Sequence, residues 1–560
     1  MTLDDLKLLF EFVGGLGMFL YGMNIMADGL QKSAGSKLKN IMSFLTKNRL
    51  VAVLVGAGVT AIIQSSSATT VMVVGFVNAG MLNLAQAVGV IMGANIGTTI
   101  TAWIVSLSEF GSIFKPEFYA PVLVGFGAFC IIFSKNEKKK KIGEIFIGIG
   151  LLFIGLTFMS DAIKPYRDSQ IFVDMFTTLG KNPLLAIIAG AVVTAIIQSS
   201  SASVGILQTL AMNGIVSWKS AVFITLGQNI GTCVTAVISG AGAGKNAKRA
   251  SIIHLLFNVI GTVIFSIVMF ALFKFNATWG NSTISSVEIS IFHTVFNVTC
   301  TVLLFPFAKG LVKLSEFIIR DSKEEEEEET LVEETKRKLD RRLLSNPSFA
   351  LEAAKKEVDV MGEMALNNLK TALNALQTEG GVGDVSKVYA VENDLNHMEK
   401  MLTAFLVEVD NLSLTEHQHL LVKNMFYAVS DIERVGDHCE NIAELAEIMK
   451  RDDIVFSKKG SAELVEISDE TINALTTALQ ARSTDSKKTA LMVEQYENHV
   501  DELEDLFREK HIARLSKGKC TPENGVVFLD IMSNLERISD HACNLAGYVI
   551  AEAEAKQSMM

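Results

Sequence analysis

The chain has 560 residues, 49% of them hydrophobic, and a formal net charge of −11. That length allows several domains, and the acidic balance argues against a nucleic-acid partner, whose electrostatic footprint is basic. The averages hide a break near residue 320: apolar stretches with almost no charge precede it, and the acidic run Glu324 to Glu329 opens a region dense in Glu, Lys, Asp and Leu.

In chain order, Met1 to Leu9 carries Asp4, Asp5 and Lys7 ahead of a hydrophobic stretch, which reads as a retained span and not a cleaved signal peptide. A membrane span needs roughly 20 predominantly apolar residues. Seven stretches qualify, at about 9–30, 84–106, 118–134, 143–163, 218–240, 250–273 and 288–308. Leu50 to Gly80 and Leu184 to Gly214 are each long enough for two short half-helices, interrupted at Gln64-Ser65-Ser66-Ser67 and Gln198-Ser199-Ser200-Ser201. These predict re-entrant hairpins, which a membrane tolerates only where protein or a water-filled cavity surrounds the break.

The two polar knots belong to an internal duplication. Val59 to Ala68 returns as Val193 to Ala202, a shift of 134 residues, and Asn95-Ile96-Gly97-Thr98 with Thr101 returns in the same register as Asn229-Ile230-Gly231-Thr232 with Thr235. Cytoplasmic loops are enriched in Lys and Arg. Lys32, Lys37, Lys39, Lys47 and Arg49, then Lys135 and Lys138 to Lys141, then Lys245, Lys248 and Arg249, then Lys309 and Lys313 fall on one side; Lys115, Lys164, Arg167, Lys181 and Lys274 fall on the other, beside Asp168 and Asp174. The N-terminus is therefore expected outside and the C-terminal region in the cytoplasm. Three spans per repeat would insert the two copies in opposite senses, with the hairpins approaching the midplane from opposite faces, as in many secondary transporters.

Polar groups in a bilayer are costly and usually functional. Ser hydroxyls at a break between half-helices sit beside unpaired backbone N–H groups, and a helix N-terminus of this kind favours an anion. The same hydroxyl, amide and carbonyl oxygens suit sodium. The predicted core has no Lys or Arg to neutralise an anion, so a co-bound cation is the natural replacement. Asn95, Thr98, Asn229 and Thr232 read as sodium ligands or hairpin supports, with helix–helix hydrogen bonding as the alternative. Ser-rich patches also serve close helix packing. His254 with Asn258 and His293 with Asn297 each share a helical face and read as interhelical packing.

Residues 10 to 310 resemble the type II sodium/phosphate cotransporter family. The resemblance rests on both Gln-Ser-Ser-Ser motifs, on Gly93-Ala94-Asn95-Ile96-Gly97-Thr98 and Gly227-Gln228-Asn229-Ile230-Gly231-Thr232, and on His254-Leu255-Leu256-Phe257-Asn258. It implies phosphate binding by Ser65, Ser66, Ser67, Ser199, Ser200 and Ser201, and sodium binding by Gln64, Gln198, Asn95, Thr98, Asn229 and Thr232. Animal members carry a His-Asp-Phe-Phe-Asn-like stretch in the first repeat, whose Asp belongs to one sodium site. This chain has Phe118 to Phe133 without an acidic residue, so the resemblance leaves the sodium stoichiometry open.

Residues 345 to 553 show helical periodicity with few aromatics and little Pro. Glu392-Asn393 with Glu399 is matched by Glu497-Asn498 with Glu504, and Glu433-Arg434, Asp437-His438 and Asn441 by Glu536-Arg537, Asp540-His541 and Asn544. Two three-helix bundles follow from that second duplication. Glu433 and Asp437, like Glu536 and Asp540, lie four apart on one helix face, where carboxylates with nearby His can hold a metal; an ion-pair lattice with Arg434 and Arg537 is the alternative. The repeat resembles the PhoU family of phosphate regulators, whose Glu-x-x-x-Asp motifs bind multinuclear metal clusters, which implies a divalent, iron or zinc cluster at Glu433, Asp437, Glu536 and Asp540. The six cysteines show neither metal-ligand nor disulfide spacing.

The expected fold is all-α: a polytopic membrane protein with inverted-topology repeats and two re-entrant hairpins, then a cytoplasmic PhoU-like pair of three-helix bundles. The expected divisions are 1–136 for the first repeat, 137–312 for the second with the final span, 313–344 for a charged linker and 345–556 for the PhoU-like domain. The resemblance implies sodium-coupled phosphate import at the cell membrane by alternating access, regulated by the PhoU-like domain. The alternatives are a membrane phosphate sensor without turnover and a sodium-coupled transporter or exporter of another oxyanion. No nucleophile–base constellation and no Gly-x-x-x-x-Gly-Lys-Ser/Thr loop is present, so an enzyme is not expected. The partners implied are phosphate, sodium and the lipid bilayer, with no nucleic acid; a homodimer and phosphate-signalling proteins are compatible with the sequence.

Overall fold

The computed structural model describes residues 3–34, 48–109, 116–166, 169–320, 331–377 and 382–558. Lys37, Lys39, Lys47, Lys115, Arg167, Asp168 and the run Glu324 to Glu329, which bear on topology and linker, lie outside them. Among the described residues every regular element is helical, apart from one isolated bridge between Ser217 and Thr283. The chain forms two compact units, Met1–Glu326 and Glu327–Met560.

In the first unit, α1 (Leu3–Ala34) is followed by the broken pair α2 (Arg49–Ile63) and α3 (Ser66–Asn78), then α4 (Leu84–Gly97), α5 (Thr99–Ser106), α6 (Pro116–Phe133) and α7 (Glu137–Ile163). The second copy, which begins at α7, adds α8 (Gln170–Lys181), the broken pair α9 (Pro183–Ile197) and α10 (Ser200–Met212), then α11 (Trp218–Gly231), α12 (Cys233–Ala241) and α13 (Lys245–Phe275). Short α14 (Ala277–Asn281), α15 (Ser286–Leu304) and α16 (Ala308–Ile318) complete the unit. Six segments are long and apolar enough to cross a membrane: Leu3–Ser33, Leu84–Glu109, Lys138–Tyr166, Trp218–Ala241, Lys245–Phe275 and Ser286–Leu304. They coincide with six of the seven expected spans. The seventh is α6, an apolar helix of 18 residues, shorter than each of those six. Two spans expected to be continuous are interrupted, at Thr98 and Thr232, yet both residues keep right-handed helical dihedrals, so the axis is nicked and not folded back.

Small residues let the helices touch backbone to backbone. A Cβ on Gly93 would lie 2.0 Å from Val53 O, and one on Gly227 would lie 1.9 Å from Ile187 O, so each hairpin's first helix seats directly on the helix that follows the hairpin. Between α1 and α7 the same logic holds: a Cβ on Gly15 would meet Gly155 O, one on Gly22 would meet Gly148 O, and one on Gly29 would approach Lys141 O. That order makes α1 and α7, equivalent helices of the duplication, antiparallel.

Contacts between helix ends sort into two groups. Lys32 pairs with Glu144, Gly244 N donates to Asn78 Oδ1, and Arg249 donates from Nε and Nη2 to Ile319 O. At the other end of the bundle Tyr166 OH donates to Asp5, Asn213 Nδ2 to Ser160, Trp218 N to Ser282 O and Val287 N to Glu109. The α2–α3 hairpin opens toward the first group, through Asn78, and the α9–α10 hairpin toward the second, through Asn213.

The second unit holds α17 (Leu331–Lys338), then α18 (Pro347–Gln377), α19 (Val382–Asp410) and α20 (Glu416–Arg451) as one bundle. The other bundle is α21 (Lys458–Thr484), short α22 (Lys487–Ala490), α23 (Val493–Ser516) and α24 (Pro522–Ser558). One buried core runs through both, from Met361, Leu402 and Ile432 to Leu475, Phe507 and Ile538.

Candidate functional site

The two breaks are built alike. Gln64 closes α2 in the left-handed region (φ 57°, ψ 22°), and Gln198 closes α9 with φ 56° and ψ 22°. Such dihedrals stop a helix and are unfavourable for a residue with a Cβ, and they recur at both breaks. The next residue then starts a new helix: Ser65 Oγ accepts from Ala68 N at 3.1 Å and Ser199 Oγ from Ala202 N at 3.2 Å. With those cap bonds made, the N–H groups of Ser66 and Ser67, and of Ser200 and Ser201, have no intrahelical acceptor. Each hairpin is braced across its break, by Thr60 Oγ1 to Thr69 Oγ1 at 3.0 Å and by Thr194 Oγ1 to Ser203 Oγ at 2.9 Å.

The structure brings the tips, 134 residues apart in sequence, together. Thr98 Oγ1 lies 3.4 Å from Ser66 Oγ and 3.4 Å from Ser200 Oγ. One turn on, Thr101 Oγ1 lies 3.3 Å from Ser201 Oγ and donates to Gln64 Oε1 at 2.9 Å. Gln64 Nε2 also donates to Ala61 O. Ser66, Ser200, Ser201, Thr98 and Thr101 are all buried. Sequence reasoning finds Thr98 as a support but misses Thr101 as the partner of Gln64.

The second repeat does not reproduce this bridge. Thr232 Oγ1 donates to Gln228 O and Thr235 Oγ1 to Thr232 O, both within their own helix. Gln64 is 7% exposed, whereas Gln198 is exposed. The Asn pair also diverges. Asn95 Nδ2 and Asn229 Nδ2 donate alike to the carbonyl one turn back, at 2.9 and 2.8 Å. Only Asn229 is met from α15, where His293 Nε2 lies 3.3 Å and Asn297 Nδ2 3.4 Å from its Oδ1. The final span is further tied in by Gln208, whose Nε2 lies 2.9 Å from both Ser286 Oγ and Ser290 Oγ.

The carboxylates of the second unit form two separate groups. Arg434 Nη1 donates to Asp437 Oδ2 and Arg537 Nη1 to Asp540 Oδ2, each at 3.3 Å. Burial first, and then Asp437, pushes the Glu433 carboxyl above its ordinary value, as burial and Asp540 do for Glu536. Among the described residues one trio can offer oxygens within 4.8 Å of one another: Glu497, Asp501 and Asp540. Asp501 escapes sequence reasoning because the equivalent position in the first bundle is Asn396, so a search for repeated acids passes over it.

Comparison with known proteins assigns both halves. The Na+/Pi-cotransporter family model matches residues 18–161 and 168–292, and the PhoU domain model matches residues 358–446 and 464–549. YqeW of Bacillus subtilis (strain 168), an uncharacterized protein, is 31% identical over 312 residues, covering 56% of this chain and 98% of its own. The chain belongs to the Na+/Pi-cotransporter family. As a member of that family with several apolar spans, it is a multi-pass membrane protein, and it carries a C-terminal PhoU domain. The "Putative inorganic phosphate export protein YjbB" of Escherichia coli (strain K12) is 24% identical to this cotransporter-family chain over 549 residues, 98% of each. "Sodium-dependent phosphate transport protein 2A" of Oryctolagus cuniculus is 34% identical over 113 residues, 20% of this chain and 17% of its own.

Proposed function

We propose that the chain is a sodium-coupled phosphate transporter working by alternating access, with the two Gln-Ser-Ser-Ser tips forming one substrate site. The observation that carries this reading is Thr98, whose hydroxyl stands 3.4 Å from a serine of each tip. Two helix N-termini and their serine hydroxyls converge there, and both favour a phosphate anion. The hairpins contain no Lys or Arg beyond Arg49 at the outer end of α2, so sodium, held by Gln64, Gln198 and the Asn and Thr oxygens, supplies the compensating charge. The names of the E. coli and rabbit relatives both point to phosphate, one by export and one with sodium.

The antiparallel α1–α7 pair and the hairpins opening to opposite ends support an inverted repeat. The buried, Thr101-bonded Gln64 and the exposed Gln198 are then the two halves of one cycle: exchanging those environments moves access from one face to the other. The basic residues Lys32, Lys138 to Lys141, Lys245 and Arg249 support a cytoplasmic side for the first group of helix ends, and the same charge pattern supports a cytoplasmic PhoU domain. In that domain two oxygen sites, Glu433 with Asp437 in one bundle and Glu536 and Asp540 with Glu497 and Asp501 in the other, would each hold divalent, iron or zinc ions, and the domain regulates flux.

The test is radiolabelled phosphate uptake into liposomes holding the purified protein, under an inward sodium gradient and an equal potassium gradient. Accumulation with sodium alone is expected. Equal accumulation in both salts would remove sodium coupling, efflux without uptake would reverse the direction, and binding without accumulation would make the protein a sensor.

A further inference from the structure

The two bundles of the PhoU domain meet along α20 and α24, and each contributes a histidine to the seam. His541 Nδ1 lies 2.8 Å from Asp431 Oδ1. Asp431 is only 9% exposed and is held by two more donors, Tyr548 OH at 2.7 Å and Asn544 Nδ2 at 3.3 Å. A carboxylate only accepts, so Nδ1 of His541 is the donor, and in the neutral ring that a metal requires Nε2 carries the lone pair.

The other half repeats the arrangement with a neutral acceptor. His438 Nδ1 lies 2.8 Å from Asn534 Oδ1, which also accepts from Asn441 Nδ2 at 3.2 Å. Asn534 Nδ2 donates to Asp530 O at 2.8 Å, which orients its amide with the oxygen toward the ring. His438 therefore also carries its proton on Nδ1 and its lone pair on Nε2. An imidazole whose Nδ1–H is fixed by a carboxylate or amide, leaving Nε2 free, is the arrangement metal-ligating histidines adopt.

The ring centroids are 5.7 Å apart, with planes tilted by 34°. A metal–nitrogen bond of about 2.0–2.1 Å puts the ion about 3.2 Å from each ring centre, so two imidazoles on one ion at tetrahedral to trigonal angles have centroids about 5–6 Å apart. Both rings are half-buried. We propose that His438 and His541 form a two-imidazole site for a divalent transition metal of the zinc, nickel or copper class, with water completing the coordination. The ion ties one bundle to the other. The site is separate from the carboxylate groups, which lie within each bundle, between α19 and α20 or between α23 and α24, and offer oxygen ligands suited to harder cations.

The test titrates the purified full-length protein in detergent with Zn²⁺, and with Co²⁺ for its visible ligand-field spectrum. The wild type is expected to show a nitrogen-ligated site that the double variant His438→Gln/His541→Gln lacks. Asp431→Asn keeps both imidazoles and weakens binding by about 10–100-fold, as loss of an outer-shell carboxylate does. Glu433→Gln and Glu536→Gln leave this site unchanged. Metal-free melting curves of each variant separate loss of the ligand from loss of the fold. Unchanged Zn²⁺ affinity and Co²⁺ spectrum in the double variant, or in a folded Asp431→Asn protein, overturns the proposal, as does loss of the nitrogen-ligated signal in the glutamate variants.

Discussion

At the scale of single residues, the duplicated motifs agree in letters and differ in contacts. Thr98 and Thr232 occupy equivalent positions, yet one bridges the two tips and the other donates to its own helix. Thr98→Val removes two hydroxyl contacts at about 1 kcal/mol each, so it should weaken phosphate affinity by roughly 10- to 30-fold. Thr232→Val should cost less than half of that in free energy. Equilibrium binding of radiolabelled phosphate to both variants checks it, and equal losses would contradict the asymmetry. The same asymmetry marks where sequence reading stops. Gln64 and the serines are legible because a polar run inside an apolar stretch is costly and therefore rarely incidental. Thr101 and Asp501 are not, since a lone Thr in a helix commonly bonds its own backbone, and Asp501 has no acidic counterpart in the other bundle. Nor does any pattern announce that Asp431 holds His541, because that bond crosses between helices 110 residues apart.

Among the elements, the hairpins depend on how closely α2 seats on α4 and α9 on α11. Gly93→Ala or Gly227→Ala would force a methyl into a carbonyl oxygen about 2 Å away, and each should abolish the monodisperse protein peak after extraction. Gly58→Ala, on α2 with nothing within 4 Å of its new Cβ, should leave that peak intact and raise the melting temperature slightly through helix propensity. The PhoU bundles carry an electrostatic strain of the opposite kind. Burial first, and then Asp501 and Asp540, raises the Glu497 carboxyl above its ordinary value of 4.5. The native state thus binds that proton more readily than the unfolded state, and stability is gained as pH falls through the raised value toward 4.5. In the metal-free protein Glu497→Gln should therefore melt above the wild type at pH 7, with the difference closing as pH falls toward 4.5. A variant that melts below the wild type at pH 7 would mean that Glu497 is held by an attraction instead. The helices themselves are well marked in the sequence, since six of seven spans and both hairpins rest on length and apolarity. The nicks at Thr98 and Thr232 are not, because they arise from packing on the hairpins and leave the apolar pattern unbroken.

For the whole molecule, the proposed exchange of environments between Gln64 and Gln198 makes an opposed prediction. A Gln198→Cys probe at the exposed polar tip should react with a membrane-impermeant maleimide once the native background is subtracted. Thr101→Val, which loses the bond to Gln64, should lower that labelling several-fold, and Thr235→Val should raise it or leave it unchanged. Labelling that moves the same way in both would separate the two latches from the access change. The proposed function turns on the two tips making one phosphate site, and its most direct measurement is sodium-driven phosphate uptake into liposomes by Gln64→Ala, Gln198→Ala and the double variant, at matched protein content. One shared site predicts that either single change abolishes uptake while insertion into the membrane is unchanged, and that the double variant is no worse. About half the wild-type uptake in each single variant, lost only in the double, would mean two independent sites and would contradict it.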